Sequence, residues 1–127
     1  MKNFNYKLEI NASQEEVFTA LTNPFQIELW TGYPAVMDDK AGTEFSLWEG
    51  DISGRNMEIV KDYKLVQEWD FGETEKPSIV TILLKKAGKA TRLELDHQNI
   101  PDEAYEEIVE GWKDYYLDAM KRFLEFY

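Results

Sequence analysis

His97 is the only histidine in the chain, and the alternation around it sets its side chain in register with Leu93 and Leu95, facing inward. A lone imidazole suits a general base or a polar anchor for a ligand near neutral pH. It suits equally a hydrogen-bonded group at a strand end. No second His, no Cys and no carboxylate at a fixed helical spacing accompanies it, so a transition-metal centre is not expected. No nucleophile stands out either. Ser13, Ser46, Ser53 and Ser78 fall in a cap, two strands and a loop, with no base close in sequence. Gly50-Asp51-Ile52-Ser53-Gly54 has glycines but lacks the Gly-Lys-Ser/Thr ending and the following helix of a phosphate cradle. Asp38, Asp39, Glu49 and Asp51 stand in turns, which attract such residues for backbone reasons. No catalytic residue, metal or cofactor is expected, and hydrolase- or cyclase-like chemistry lacks a paired acid and base.

The aromatic residues say more. Trp30, Trp48, Trp69 and Trp112, with Phe45, Phe71, Tyr63 and Tyr116, are many bulky rings for one small core. Such rings suit either a filled interior or an adaptable apolar pocket. The candidate lining is Trp30, Phe45, Leu47, Trp69, Phe71, Leu93, Leu95 and Trp112. Asn56, Gln67, His97, Tyr116 and Met120 form its polar or adaptable minority. Trp48 falls opposite to Phe45 and Leu47 in the alternation. It is expected to point outward, as a surface contact or packed under a loop.

The elements that must position these residues follow from periodicity. Ile108, Trp112, Tyr116, Met120, Phe123 and Tyr127 recur at spacings of three and four, which predicts one long helix over 103–126 after Pro101. Acidic residues fill its first turns and Lys113, Lys121 and Arg122 come later, as a helix dipole favours. Gly111 interrupts it and is expected to let a neighbouring backbone or ring come close. Residues 3–10 alternate as a half-buried strand. Ser13-Gln-Glu-Glu16 reads as a capping box, and Asn23-Pro24 restarts the chain, so two short helices are expected between 14 and 30. From 36 onward turn signals separate extended runs, with Gly54 suggesting a bulge or bend. Val80, Ile82 and Leu84 alternate with Ile79, Thr81 and Leu83, apolar on both faces, as in a well-covered strand. Strand, two short helices, a meander and a long helix make an α+β design, with an antiparallel sheet of about six to seven strands.

A chain of 127 residues, 43% hydrophobic and 14% aromatic, fits a single globular domain spanning 1–127. A net charge of −11 argues against nucleic acid and anionic membranes as partners. No apolar run is long enough to insert in a membrane, and no secretory segment precedes the first strand, so a cytoplasmic location is expected.

Along this order of elements stand Gly42-x-x-Phe45, Gly50-x-Ile52-x-Gly54 and Lys64-Leu65-Val66-x-x-Trp69, then Thr91-x-Leu93-x-Leu95 and Ile100-Pro101 leading to Glu110-Gly111-Trp112-x-x-Tyr115. The order of elements resembles the helix-grip superfamily of START-like (SRPBCC), birch-pollen-allergen-like domains. More narrowly, with these residues the chain is similar to the C-terminal-type domain of activators of the 90-kDa heat-shock protein ATPase. The resemblance implies a curved sheet and a C-terminal helix enclosing an apolar cavity, and a co-chaperone setting. Eukaryotic activators also carry a separate N-terminal domain that docks on the chaperone, with no counterpart in these residues. Two functions follow. One is a non-enzymatic module that binds a small hydrophobic ligand in the cavity. The other is a protein-interaction module that presents an acidic surface to a chaperone-like partner.

Overall fold

Alternation along Lys2–Ile10 (β1) buries Phe4 and Ile10 and leaves Asn3, Asn5, Lys7 and Glu9 in solvent. The computed structural model describes residues 1–126. Helix α1 (Gln14–Thr22) starts on the expected capping box: Glu16 N–H donates to Ser13 Oγ at 3.1 Å and Ser13 N–H to Glu16 Oε1 at 3.0 Å. Asn23 caps α2 (Pro24–Thr31) through Phe25 and Gln26 N–H, and Gly32 ends it with φ 85°.

The meander is β2 (Glu44–Leu47), β3 (Ile52–Val60), β4 (Lys64–Trp69), β5 (Ser78–Ala87) and β6 (Ala90–Ile100). With β1 it forms one six-stranded antiparallel sheet in the order β1-β6-β5-β4-β3-β2. Ser78, Val80, Ile82 and Leu84 of β5 and Thr91, Leu93, Leu95 and His97 of β6 point to the core. Ile79, Thr81 and Leu83 are only half-buried, so β5 is covered fully on one face rather than both.

Gly54 itself is not a bulge. The register shift in β3 lies at Met57, between the Asn56–Gln67 and Glu58–Val66 pairs. A Cβ at Gly54 would come within 1.9 Å of the Glu68 carbonyl oxygen, so this glycine permits a close approach of β3 to β4.

The C-terminal run is helical as expected, but not uniform. After a turn at Asp102–Ala104 come α3 (Tyr105–Glu110), a π segment (Gly111–Tyr116) and α4 (Leu117–Phe126). The backbone passes through Gly111 (φ −58°, ψ −44°) and Leu117 (φ −73°, ψ −37°) without a break. An i→i+5 turn takes up an extra residue. That re-phases α4 against α3, so that Trp112, Tyr116, Leu117 and Met120 all reach the core. Tyr127, expected on the same stripe, lies outside the described residues.

Trp48 takes the packed alternative rather than the outward surface contact. Strand β2 ends at Leu47 and Trp48 takes a left-handed φ of 49°, which breaks the alternation. The ring turns back and is half-buried, 5.9 Å from Trp30 and 5.8 Å from Tyr116.

Candidate functional site

Strands β5 and β6 and the π segment bring together a buried set that no stretch of sequence contains. Trp112 Nε1–H donates to His97 Nδ1 at 3.0 Å, and His97 Nε2 lies 2.8 Å from Ser78 Oγ. Indole N–H can only donate, so Nδ1 must be the bare nitrogen and Nε2 must carry the hydrogen. Nε2–H therefore donates to Ser78 Oγ, and the hydroxyl passes its own hydrogen to the Gln98 carbonyl at 3.3 Å. A serine beside a histidine invites a nucleophilic reading, but the imidazole aims a proton, not a lone pair, at Ser78. Burial pushes His97 down to about 4, which keeps it neutral near pH 7 and fits the same tautomer. In this arrangement the pair holds the core together and cannot activate the hydroxyl.

A second chain starts at Trp69. Its Nε1–H donates to Gln67 Oε1 at 3.0 Å, and Gln67 Nε2 donates to Asn56 Oδ1 at 2.9 Å. Asn56 Nδ2 then donates to Thr43 Oγ1 at 3.1 Å and to the Asp38 carbonyl at 3.2 Å. The two chains are joined by their indoles, since Trp69 stacks on Trp112 with centroids 4.9 Å apart and planes 24° apart. Tyr116 lies 4.5 Å from Trp112 and 5.1 Å from Trp30, whose Nε1–H donates to the Ala20 carbonyl. Rings thus occupy the space between helix and sheet.

Of the candidate lining residues, Trp30, Phe45, Leu47, Asn56, Gln67, Trp69, Leu93, Leu95, His97, Trp112, Tyr116 and Met120 are buried. Phe71 lies past the end of β4, half-buried, its ring 6.2 Å from His97. Phe45, Trp69, Trp112 and Tyr116 line two surface grooves, while Leu95 and Met120 are packed into the core and reach neither. One groove, of about 540 Å³, runs along β2, β3 and β4 past Phe45, Trp69 and the Arg55–Glu68 ion pair.

The other groove of interest lies where the π segment faces the β2–β3 connection, and holds about 620 Å³. Trp69, Trp112 and Tyr116 line it, joined by Trp48, Asp51, Ile52, Glu107, Ile108, Glu110, Gly111 and Tyr115. None of these eight belongs to the lining expected from sequence. In sequence Asp51 reads as a turn residue, Glu107 and Glu110 read as helix-dipole charges, and Trp48 stands opposite to Phe45 and Leu47 in the alternation. Gly111 was the visible signal, but its effect is the reverse of the one expected: a Cβ there would meet nothing within 4 Å, so no ring leans on it. The Tyr116 hydroxyl is buried without a protein partner, and burial pushes it well above the ordinary phenol range. Among the described residues no group of three or more His, Cys, Asp or Glu could hold a metal ion, and no helix is long and apolar enough to cross a membrane.

An open antiparallel sheet holding a long C-terminal helix, with short helices at one end and a ring-filled interior, defines a helix-grip domain. Its sequence relationships narrow that class. The family described as Activator of Hsp90 ATPase homolog 1-like protein matches residues 11–125, and the chain belongs to it. An activator of 90 kDa heat shock protein ATPase homolog from Dictyostelium discoideum is 30% identical over 123 residues, 94% of this chain and 32% of that protein. The human homolog 1 is 27% identical over 112 residues, 87% of this chain and 33% of that protein. The chain therefore spans about a third of the length of these curated relatives. A crystal structure of an HSP90 activator from Plasmodium falciparum superposes with a TM-score of 0.89 at 29% identity, covering 98% of this chain and 96% of that one.

Proposed function

We propose that this domain is a non-enzymatic protein-interaction module that regulates a chaperone ATPase of the Hsp90 type. The observation that carries the reading is the filled interior. The rings of Trp69, Trp112, Tyr116 and Trp30 occupy the place where a ligand cavity is expected, 4.5–5.1 Å from one another along the chain of contacts. Family membership supplies the kind of partner, and the acidic surface, with a net charge of −11, supplies a complement for a basic patch. A cytoplasmic setting belongs to the same proposal, since a chain without cysteine depends on no disulfide.

The test is titration of the purified domain onto purified Hsp90, following complex formation and ATP turnover together. Saturable binding that weakens with salt and changes turnover is the expected result. A domain that neither binds nor alters turnover, alone or joined to the remaining two thirds of a full-length relative, sinks the reading.

One observation favours a second reading, a module for a small hydrophobic ligand. The groove of about 620 Å³ falls within the roughly 300–1,000 Å³ range of small-molecule sites and opens onto Trp69, Trp112 and Tyr116. An apolar dye that fluoresces in dry surroundings should bind saturably and shift tryptophan emission. A dye that stays dark leaves this reading without support.

A further inference from the structure

We infer, building on the ligand reading just given, that the groove beside the π segment takes a small protonated amine carried on an apolar body. The walls provide the first half of that specificity. Trp48 and Tyr115 present ring surface beside Ile52 and Ile108, over the buried ring of Trp112, and a cation set against aromatic faces is attracted by their quadrupoles. The rim provides the second half. Asp51, Glu107 and Glu110 line the same groove, and none of them takes part in an ion pair among the described residues. An anion entering here meets three carboxylates, while a neutral apolar body desolvates them without return.

Two features of the fold point to this groove independently of charge. Tyr116 lines it, and its hydroxyl is buried with no hydrogen-bond partner in the protein. Buried hydroxyls are normally satisfied, and an ammonium N–H is a donor that this oxygen can accept. Gly111 is the other feature. It occupies ordinary helical backbone, where glycine is a poor helix former, and a Cβ there would touch nothing. Packing does not require this glycine. What the missing side chain does is leave the groove open, at the start of the π segment, a distortion that recurs at functional sites.

The probe is 4-phenylbutylammonium, compared with 4-phenylbutanol and 4-phenylbutanoate near neutral pH and low salt. Titrations follow the indole N–H resonances of Trp48, Trp69 and Trp112. Saturable shifts with the ammonium are expected, with the alcohol weaker by about tenfold or more and the carboxylate inert. Glu110→Gln should weaken the ammonium without weakening the alcohol, and Gly111→Trp should abolish both. Because Gly111→Trp alters the helix, Glu110→Gln, at an exposed carboxylate, serves as the independent check. An alcohol that binds as tightly as the ammonium overturns the amine assignment while the ligand reading stands. Absence of saturable binding by all three overturns both. Binding that survives Gly111→Trp puts the site elsewhere and overturns the assignment. If acetyl-Phe-Ala-Lys-amide binds far more tightly than the free amine, the small-molecule assignment falls and the groove is a protein-docking surface.

Discussion

The two halves of the C-terminal helical run are built on opposite principles. Helix α4 is fastened at every opportunity. Lys121 Nζ reaches the Glu9 carbonyl and Glu125 at 2.7 Å each, Glu125 also accepts the Asn11 N–H, and Arg122 pairs with Asp118. The half from Tyr105 to Tyr116 has no side-chain cap, a glycine in its middle, a π turn, a 62% exposed Tyr115 and an unpartnered Tyr116 hydroxyl. Yet Trp112, among the largest fully buried side chains, belongs to this loosely built half. The weak features gather beside the groove, while the strong ones tie α4 to the end of β1 and along its own exposed face. Local departures from helix rules gather where binding is proposed.

Mutations can break or sharpen that contrast. The largest effect is expected from Trp112→Ala, which removes the ring stacked on Trp69 and strips His97 of its donor. Denaturant melts should show a loss of roughly 3–5 kcal/mol, a large share of a domain's total. A loss no greater than at an exposed α4 position would mean the π half does not anchor the core.

Next comes pH. His97 takes up its proton near 6.5 when unfolded but only near 4 when folded, so the unfolded chain binds more protons between those values. Stability should be full above the higher value and fall through that window by up to about 3 kcal/mol. His97→Asn should flatten the slope there; a slope that persists assigns it to the carboxylates.

Gly111→Ala should raise stability by up to about 1 kcal/mol, because the backbone is helical and the space is open. A loss would mean the neighbouring turn already fills the groove. The smallest effect belongs to α4: Arg122→Ala, at an exposed i,i+4 pair, should cost about 0.3–0.5 kcal/mol in thermal melts.

Much of the fold was legible in the sequence because its signals are local. Ser13–Glu16, Asn23-Pro24 and the stripe from Ile108 to Met120 are short-range patterns, and the structure keeps each of them. The inward register of His97 was legible for the same reason. Its partner was not. Ser78 sits 19 residues away, and only counting outward from the Ala87–Gly88 turn puts the two on one face of adjacent strands. The inward turn of the Trp48 ring was not legible, because a left-handed backbone at a strand end leaves no trace in an alternation pattern. The groove lay beyond reach for a different reason: its lining comes from β2–β3, β4 and the C-terminal run, which meet only in the folded sheet.

The stack of Trp69 on Trp112 has an optical consequence. Two indoles 4.9 Å apart and tilted by 24° couple their electronic transitions, so the folded protein should show a paired positive and negative band in circular dichroism. Either ring alone would lose it. The domain thus carries a built-in reporter at the junction of its two hydrogen-bonded chains, one that reads core geometry without any label.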